Sequence, residues 1–219
     1  MKTPFDFNSN KELDDNIDFF SVAYHGQNWL DLQLLAGTLA SERVKFLENN
    51  KIIEPKEVHV ETRVLTVKTN EQIDILAGFK LYMTDNAAYM HYLRWLGEKD
   101  AKSLLYDAEI RAKDVCEIGN FFNEQNCPKK LKTLNYIVAI IQSAIKKTVI
   151  MGGFIKDATT KKYESRLKKV LCRTIYEGKM TLHNKECEVL ILYGYRWEVI
   201  ANLLIAIKDE LFPKSRYSV

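Results

Sequence analysis

The segment from Asp114 to Leu171 constrains the fold of this chain more than any other. It reads as a strand (114–122), a polar loop, a long helix, a short strand (148–155) and a second helix. This succession predicts two neighbouring parallel strands joined by a helix. Turns from strand to helix expose backbone N–H groups, to which anions such as a pyrophosphate bind. The segment therefore points to an anionic, carrier-linked substrate.

Composition sets the outer bounds. The 219 residues are 47% hydrophobic and 28% charged, which is ordinary for a globular protein with a full core. A net charge of +3 is too small to argue for nucleic acid, and no apolar run approaches the roughly 20 residues of a membrane span. We expect a loose leader at 1–16, which lacks the features of a secretory signal, and a single domain at 17–219.

Cysteine and histidine spacing indicates no metal site. The four cysteines show no C-x-x-C pairing, which favours reduced, buried thiols and a cytoplasmic location. The four histidines are scattered, without the H-x-x-x-H or H-E-x-x-H spacing of zinc sites.

The remaining segments complete the predicted order of elements. We expect strands at 17–25, 57–69, 73–83, 173–182 and 187–193, and helices at 29–49, 131–147, from about 158, and at 195–211. A short aromatic helix at 86–97 and a charged helical stretch at 101–113 lie between the third and fourth strands. The predicted fold class is α+β: a mixed, mostly antiparallel central sheet flanked by helices, with an inserted helical segment at about 86–113 and an additional C-terminal helix.

This order, over roughly residues 17–194, resembles the GNAT N-acyltransferase superfamily. Glu117-Ile118-Gly119 stands where the family's fourth strand often carries Glu-Ile-Gly. After the fifth strand, Asp157, Thr160, Tyr163 and Glu164 match the spacing of the family's Asn-x-x-Ala-x-x-Tyr-Glu. The resemblance implies an α+β domain that binds an acyl-CoA or a related thioester between its fourth and fifth strands.

One departure from the family lies in the pyrophosphate loop. Residues 123–134 contain no glycine, whereas the family pattern is Arg/Gln-x-x-Gly-x-Gly/Ala. Without glycine, backbone approaches a pyrophosphate less closely. The acyl-homoserine-lactone synthases are similar to this chain in lacking those glycines, and they use acyl carrier protein as donor. Their Glu-x-Ser-Arg-Phe resembles residues 117–121, although their amino-terminal patterns are not recognisable here.

Acyl transfer to an amine requires a polarised carbonyl, a deprotonated amine and a protonated leaving thiolate. The resemblance implies that the backbone of the fourth strand holds the pantetheine and the carbonyl. In this chain that backbone belongs to four residues: Gly119, Asn120, Phe121 and Phe122. Glu117 is the candidate base, directly or through water, and Tyr163 the candidate acid for the thiolate. For both residues the alternative is structural: a salt bridge or solvated sheet face for Glu117, and packing at the domain edge for Tyr163.

Lysines at the start of the 131–147 helix indicate an acidic ligand. Lys129, Lys130 and Lys132 stand where a helix dipole favours anions, which suits a phosphate or an acidic carrier protein. These three lysines and Asp157 are the remaining candidate cofactor-binding residues. The alternative for the lysines is that they form an ordinary solvated surface.

Two functions from different classes remain open. The first is an acyltransferase that takes its acyl group from acyl-CoA or acyl carrier protein and delivers it to a small-molecule or protein amine. The second is a catalytically inactive module of the same fold that acts through protein–protein contacts. A nucleic-acid partner is disfavoured by the near-neutral charge.

Overall fold

The computed structural model describes residues 17–24, 57–69, 72–123, 127–157, 160–182 and 185–211. In this part of the chain, seven strands form one sheet in the order β1-β2-β3-β4-β5-β7-β6. The strands are β1 Ile17–Tyr24, β2 His59–Thr69, β3 Gln72–Met83, β4 Val115–Asn123, β5 Val149–Ile155, β6 Arg173–Leu182 and β7 Lys185–Tyr195. The helices are α1 Glu98–Asp107, α2 Lys129–Lys146, α3 Lys161–Val170 and α4 Arg196–Leu211.

The sheet is mixed, and mostly antiparallel. Only β4 and β5 pair in parallel in the described sheet, because α2 carries the chain from the end of one strand back to the start of the other. The predicted α+β class, with its mixed sheet, inserted segment and C-terminal helix, is confirmed.

Two apolar clusters cover opposite faces of the sheet. On the helical face, which we define as the face covered by α2, α3 and α4, aliphatic residues of these helices pack on alternate strand residues such as Cys116 and Ile150. On the insert face, the insert (residues 86–113) packs on the intervening residues, such as Val115 and Met151. This alternation follows from the two-residue period of a strand.

The insert is less regular than the sequence predicts. The prediction of a single aromatic helix at 86–97 is wrong. The segment forms two 3-10 turns, Ala87–Tyr89 and Leu93–Leu96, which are separated by the extended backbone of Met90. Asn86 caps the first turn by accepting a hydrogen bond from the N–H of Ala88 at 3.0 Å. Gly97, with φ of +89°, ends the second turn, and α1 begins directly after it.

Some predictions lie outside the described residues, namely the leader at 1–16 and the helix at 29–49. No helix within the described ranges is long and apolar enough to cross a membrane.

Candidate active site

The parallel strands β4 and β5 separate partway along their length. Their pairing runs from Val115–Val149 to Ile118–Gly152 and then ends, although both strands continue. Beyond this point β4 remains paired with β3, and β5 remains paired with β7. We call the opening between residues 119–123 and 153–155 the gap, and the Ile118–Gly152 pair its vertex. The predicted separation of these two strands is confirmed.

A β-bulge shapes the β4 edge of the gap. The register with β3 passes from Lys80–Gly119 to Gly78–Phe122, so Asn120 and Phe121 both stand opposite one residue of β3. Asn120 adopts a φ of +49°, a left-handed conformation that asparagine tolerates better than most residues. Bulges of this kind redirect the backbone and are frequent beside active sites. The bulge therefore changes the direction of β4 immediately after the vertex.

The side chains of the bulge point to different faces. The Nδ2 of Asn120 donates a hydrogen bond to the Tyr82 hydroxyl at 2.5 Å, on the insert face. Phe121 is 41% exposed on the helical face, where its ring lies 6.2 Å from that of Tyr136 in α2. For Phe122 the structure describes only the backbone.

Gly119 is closely covered on the insert face. A Cβ atom at Gly119 would lie 3.1 Å from both His91 and Tyr82. These two rings stack, with centroids 4.0 Å apart and planes 9° from parallel. Burial, with the positive charges of Arg94 and Lys80, lowers the pKa of His91 to about 3, so this histidine is neutral at physiological pH. The missing side chain of Gly119 thus makes room for the His91–Tyr82 stack.

Glu117 is buried, with 1% of its surface exposed. Its Oε2 accepts a hydrogen bond from the backbone N–H of His91 at 2.7 Å, and its Oε1 accepts one from that of Tyr92 at 2.9 Å. Glu117 therefore fixes the insert to β4, and its role as a base stays a prediction.

Tyr92 bridges the two strands at the vertex. Its hydroxyl donates a hydrogen bond to the carbonyl of Ile118 in β4 at 2.6 Å, and its ring packs against Gly153 in β5. Its ring lies so close that a Cβ atom at Gly153 would be 3.1 Å from it. Burial raises the pKa of Tyr92, and the nearby Glu117 adds to the increase. Sequence patterns place Tyr92 only within an aromatic stripe and carry no signal for this bridge.

Two further side chains of α2 contribute to the site and were missed by the sequence patterns. The hydroxyl of Tyr136 is buried and has no hydrogen-bond partner among the described residues; burial raises its pKa, while Arg166 of α3 opposes the rise. Asn135 is buried and donates from Nδ2 to the carbonyl of Gly78 at 3.3 Å. The signal that could have found them is a pair of neighbouring residues with polar groups beside the apolar stripe of α2.

Both helices that follow the separating strands begin at the open end of the gap. The first turn of α2 carries the predicted basic residues; Lys129 and Lys130 are exposed, and Lys132 is partly so. No acidic residue lies in that turn. The unpaired N–H groups of such turns favour anions.

The turn before α3 is closed by Asp157 and Thr160. Oδ1 of Asp157 accepts a hydrogen bond from the N–H of Thr160 at 2.8 Å, and Oγ1 of Thr160 accepts one from the N–H of Asp157 at 2.8 Å. This reciprocal pair resembles a capping box. Tyr163 lies in the first turn of α3, and only its backbone is described. The structure thus places the β4 residues, the α2 lysines and the start of α3 around one gap.

Among the described side chains, no group of three or more His, Cys, Asp or Glu residues could hold a metal ion.

Comparison with known proteins finds similarity in structure alone. No protein-family model and no curated protein matches the chain. FeeM, an N-acyl amino acid synthase from uncultured soil microbes, is 9% identical over 87% of this chain and 97% of its own, with a TM-score of 0.49. The spermidine/spermine N-acetyltransferase SpeG from Vibrio cholerae is 10% identical over 85% and 96%, with a TM-score of 0.44. Arabidopsis thaliana NAA60, solved with acetyl-CoA, is 11% identical over 82% and 98%, with a TM-score of 0.41. Identities this low carry neither substrates nor residue roles across.

Proposed function

We propose that this protein is an acyltransferase that moves an acyl group from acyl-CoA or an acylated carrier protein to an amine. The observation that carries the proposal is the gap: two parallel strands part after four residue pairs, while each keeps its outer partner. The inner edges of β4 and β5 then face each other, with none of the described strands between them. A pantetheine arm is extended and carries amide groups, so it can pair with such edges as a strand does.

The charge at the open end of the gap supports an anionic donor. The first turn of α2 presents backbone N–H groups together with Lys129, Lys130 and Lys132, and α3 begins on the other side of the opening. The phosphates of a CoA ester, or the acidic surface of a carrier protein, suit this end. Asp157 closes the turn before α3 and so fixes the direction of that helix.

The chemistry follows from this placement. The amine nitrogen attacks the thioester carbonyl carbon, and backbone N–H groups of the bulged segment, Gly119 to Phe122, stabilise the negative charge that develops on the oxygen. The carbon–sulfur bond then breaks, and Tyr163 donates its proton to the departing thiolate. The proton of the amine leaves through water to Glu117, whose bonded carboxylate retains lone pairs beyond the two that its amides occupy.

One observation favours the alternative, an inactive module of the same fold that acts through protein contacts. Both carboxylate oxygens of Glu117 are engaged by the insert, as in a purely structural residue. In this alternative the gap binds no thioester.

Ligand-induced thermal shift separates the two functions. An acyl-CoA at a hundred times its dissociation constant adds about 2.7 kcal/mol to the free energy of unfolding. For a chain of this size, that raises the melting temperature by roughly 5–10 °C. If CoA esters have no effect, an acylated carrier protein is added instead. The absence of a shift with both donors would favour the inactive module.

Two sets of variants test the assigned roles. Tyr163→Phe should lower kcat for release of free thiol and leave donor binding unchanged, and an unchanged kcat would remove Tyr163 from the mechanism.

The double variant Lys129→Glu and Lys130→Glu should weaken donor binding, and its difference in affinity from the unmodified protein should shrink at high salt. Lys99→Glu with Lys113→Glu is the matched control, since these exposed lysines lie in the insert.

A further inference from the structure

We propose that Tyr92 closes the vertex of the gap and thereby restricts the donor to short acyl groups. This inference rests on the proposed acyltransferase function and names the substrate class of that site. It assigns the inserted segment a role in choosing the substrate.

The direction in which a donor lies in the gap follows from its two ends. The anionic part of the donor belongs at the open end, where the first turn of α2 and its lysines lie. The chain of the donor then runs along β4 and β5 towards the Ile118–Gly152 pair, so the acyl group comes closest to the vertex. The side chains that fill the vertex therefore determine how long an acyl group the gap can hold.

The vertex is enclosed on both faces of the sheet. On the helical face, a Cβ atom at Gly152 would lie 3.2 Å from Leu171 and 3.7 Å from Leu167. On the insert face, the Tyr92 ring lies against Gly153 of β5, and its hydroxyl bonds to the carbonyl of Ile118 in β4. An acyl chain extended past the vertex on the insert face would therefore have to displace the Tyr92 ring and break this hydrogen bond.

Tyr92 is held in place by more than its own hydroxyl. Glu117 accepts a hydrogen bond from the Tyr92 backbone N–H at 2.9 Å, which fixes the start of the side chain to β4. Glu117 is thus a positioning residue for Tyr92. Behind the ring lies the apolar cluster of the insert face, including Met90, Met151 and Ile191. Shortening Tyr92 would open the vertex towards this apolar cluster, a surface suited to methylene groups.

The test is the dependence of kcat/KM on acyl chain length, measured with acetyl-, butyryl-, hexanoyl- and octanoyl-CoA, or with the same groups on a carrier protein if CoA esters are inactive. For the unmodified protein we expect acetyl to be best and kcat/KM to fall roughly tenfold or more for each methylene that no longer fits. Tyr92→Ala should move the optimum to hexanoyl or octanoyl. Tyr92→Phe keeps the ring and should keep the preference for acetyl.

Tyr92→Leu supplies a milder change should the alanine variant fail to fold, and it should move the optimum towards butyryl. Tyr89→Ala, in the same insert, is the matched control and should keep the original profile. Equal kcat/KM for acetyl and octanoyl donors in the unmodified protein would overturn the proposal without any variant. An unshifted profile in a folded Tyr92→Ala or Tyr92→Leu protein would overturn it as well. Failure of every donor to bind or react would instead overturn the proposed acyltransferase function.

Discussion

At the vertex of the gap, neighbouring glycines face different environments. Gly152 faces the aliphatic side chains of Leu167 and Leu171, whereas Gly153 faces the ring of Tyr92. At the vertex, the helical side is closed by non-directional apolar contacts, while the insert side depends on hydrogen bonds that one buried carboxylate accepts and one hydroxyl donates. Apolar packing tolerates substitutions of similar volume, but a buried polar group left without its partner is costly. Changes of a few atoms should therefore have larger effects on the insert face.

The largest effect should come from Glu117→Ala. This change leaves the backbone N–H groups of His91 and Tyr92 buried without their acceptor, at about 1–3 kcal/mol for each. We expect the free energy of unfolding, measured by urea denaturation, to fall by about 2–6 kcal/mol. Glu186→Ala, in the exposed hairpin of β6 and β7, is the control and should change little. Equal stability of the two variants would contradict the role given to Glu117.

Acid should destabilise the insert face through His91. The pKa of His91 is lowered to about 3 in the folded protein, against 6.5 for a free histidine, so between these values the unfolded chain binds the additional proton. The stability that His91 contributes is complete above pH 6.5 and declines as the pH falls towards 3. Between pH 7 and pH 5 the free energy of unfolding should therefore fall by about 2 kcal/mol through His91. His91→Phe keeps an aromatic ring beside Tyr82 and should remove this part of the pH dependence of the melting temperature. A His91→Phe curve parallel to that of the unmodified protein would contradict the assignment.

The smallest effects are expected for two partly buried tyrosines on opposite faces, Tyr92 and Tyr136. Tyr92→Phe removes a hydroxyl that bonds to the carbonyl of Ile118 and should lower the free energy of unfolding by about 1–2 kcal/mol. Tyr136→Phe removes a buried hydroxyl that has no partner within the described part of the chain and should leave stability unchanged or raise it by about 1 kcal/mol. The free energies of unfolding of both variants are measured by urea denaturation in the same buffer and compared. A loss of stability in Tyr136→Phe equal to that in Tyr92→Phe would show that the faces do not differ in this respect.

The sequence predicts the sheet and its helices well because their patterns are local. Alternation and helical periodicity place β2, β3 and α2 within about two residues of their observed bounds. The parallel pair follows from the strand–helix–strand order of 114–155.

The vertex of the gap could not be predicted, because it depends on contacts between residues distant in the chain. Glu117 binds backbone groups that lie 25 and 26 positions earlier, and no residue pattern encodes a bond to a backbone N–H. Periodicity groups Tyr89 with Tyr92 on one side of a helix. The extended backbone of Met90 interrupts that helix, and only Tyr92 reaches the vertex.

The short pairing of β4 with β5 also affects how the sheet comes apart. Sheets usually loosen first at their outer strands. Within the described sheet, the strands β1-β2-β3-β4 and the strands β5-β7-β6 are joined only by the four residue pairs between β4 and β5, which we call the seam, and the phenol of Tyr92 lies at its end. Amide protons on the seam side of β4 beyond residue 118 should exchange with solvent sooner than those of the long β6–β7 ladder. Under a pulling force applied across the strands, the middle of this sheet should separate before its margins.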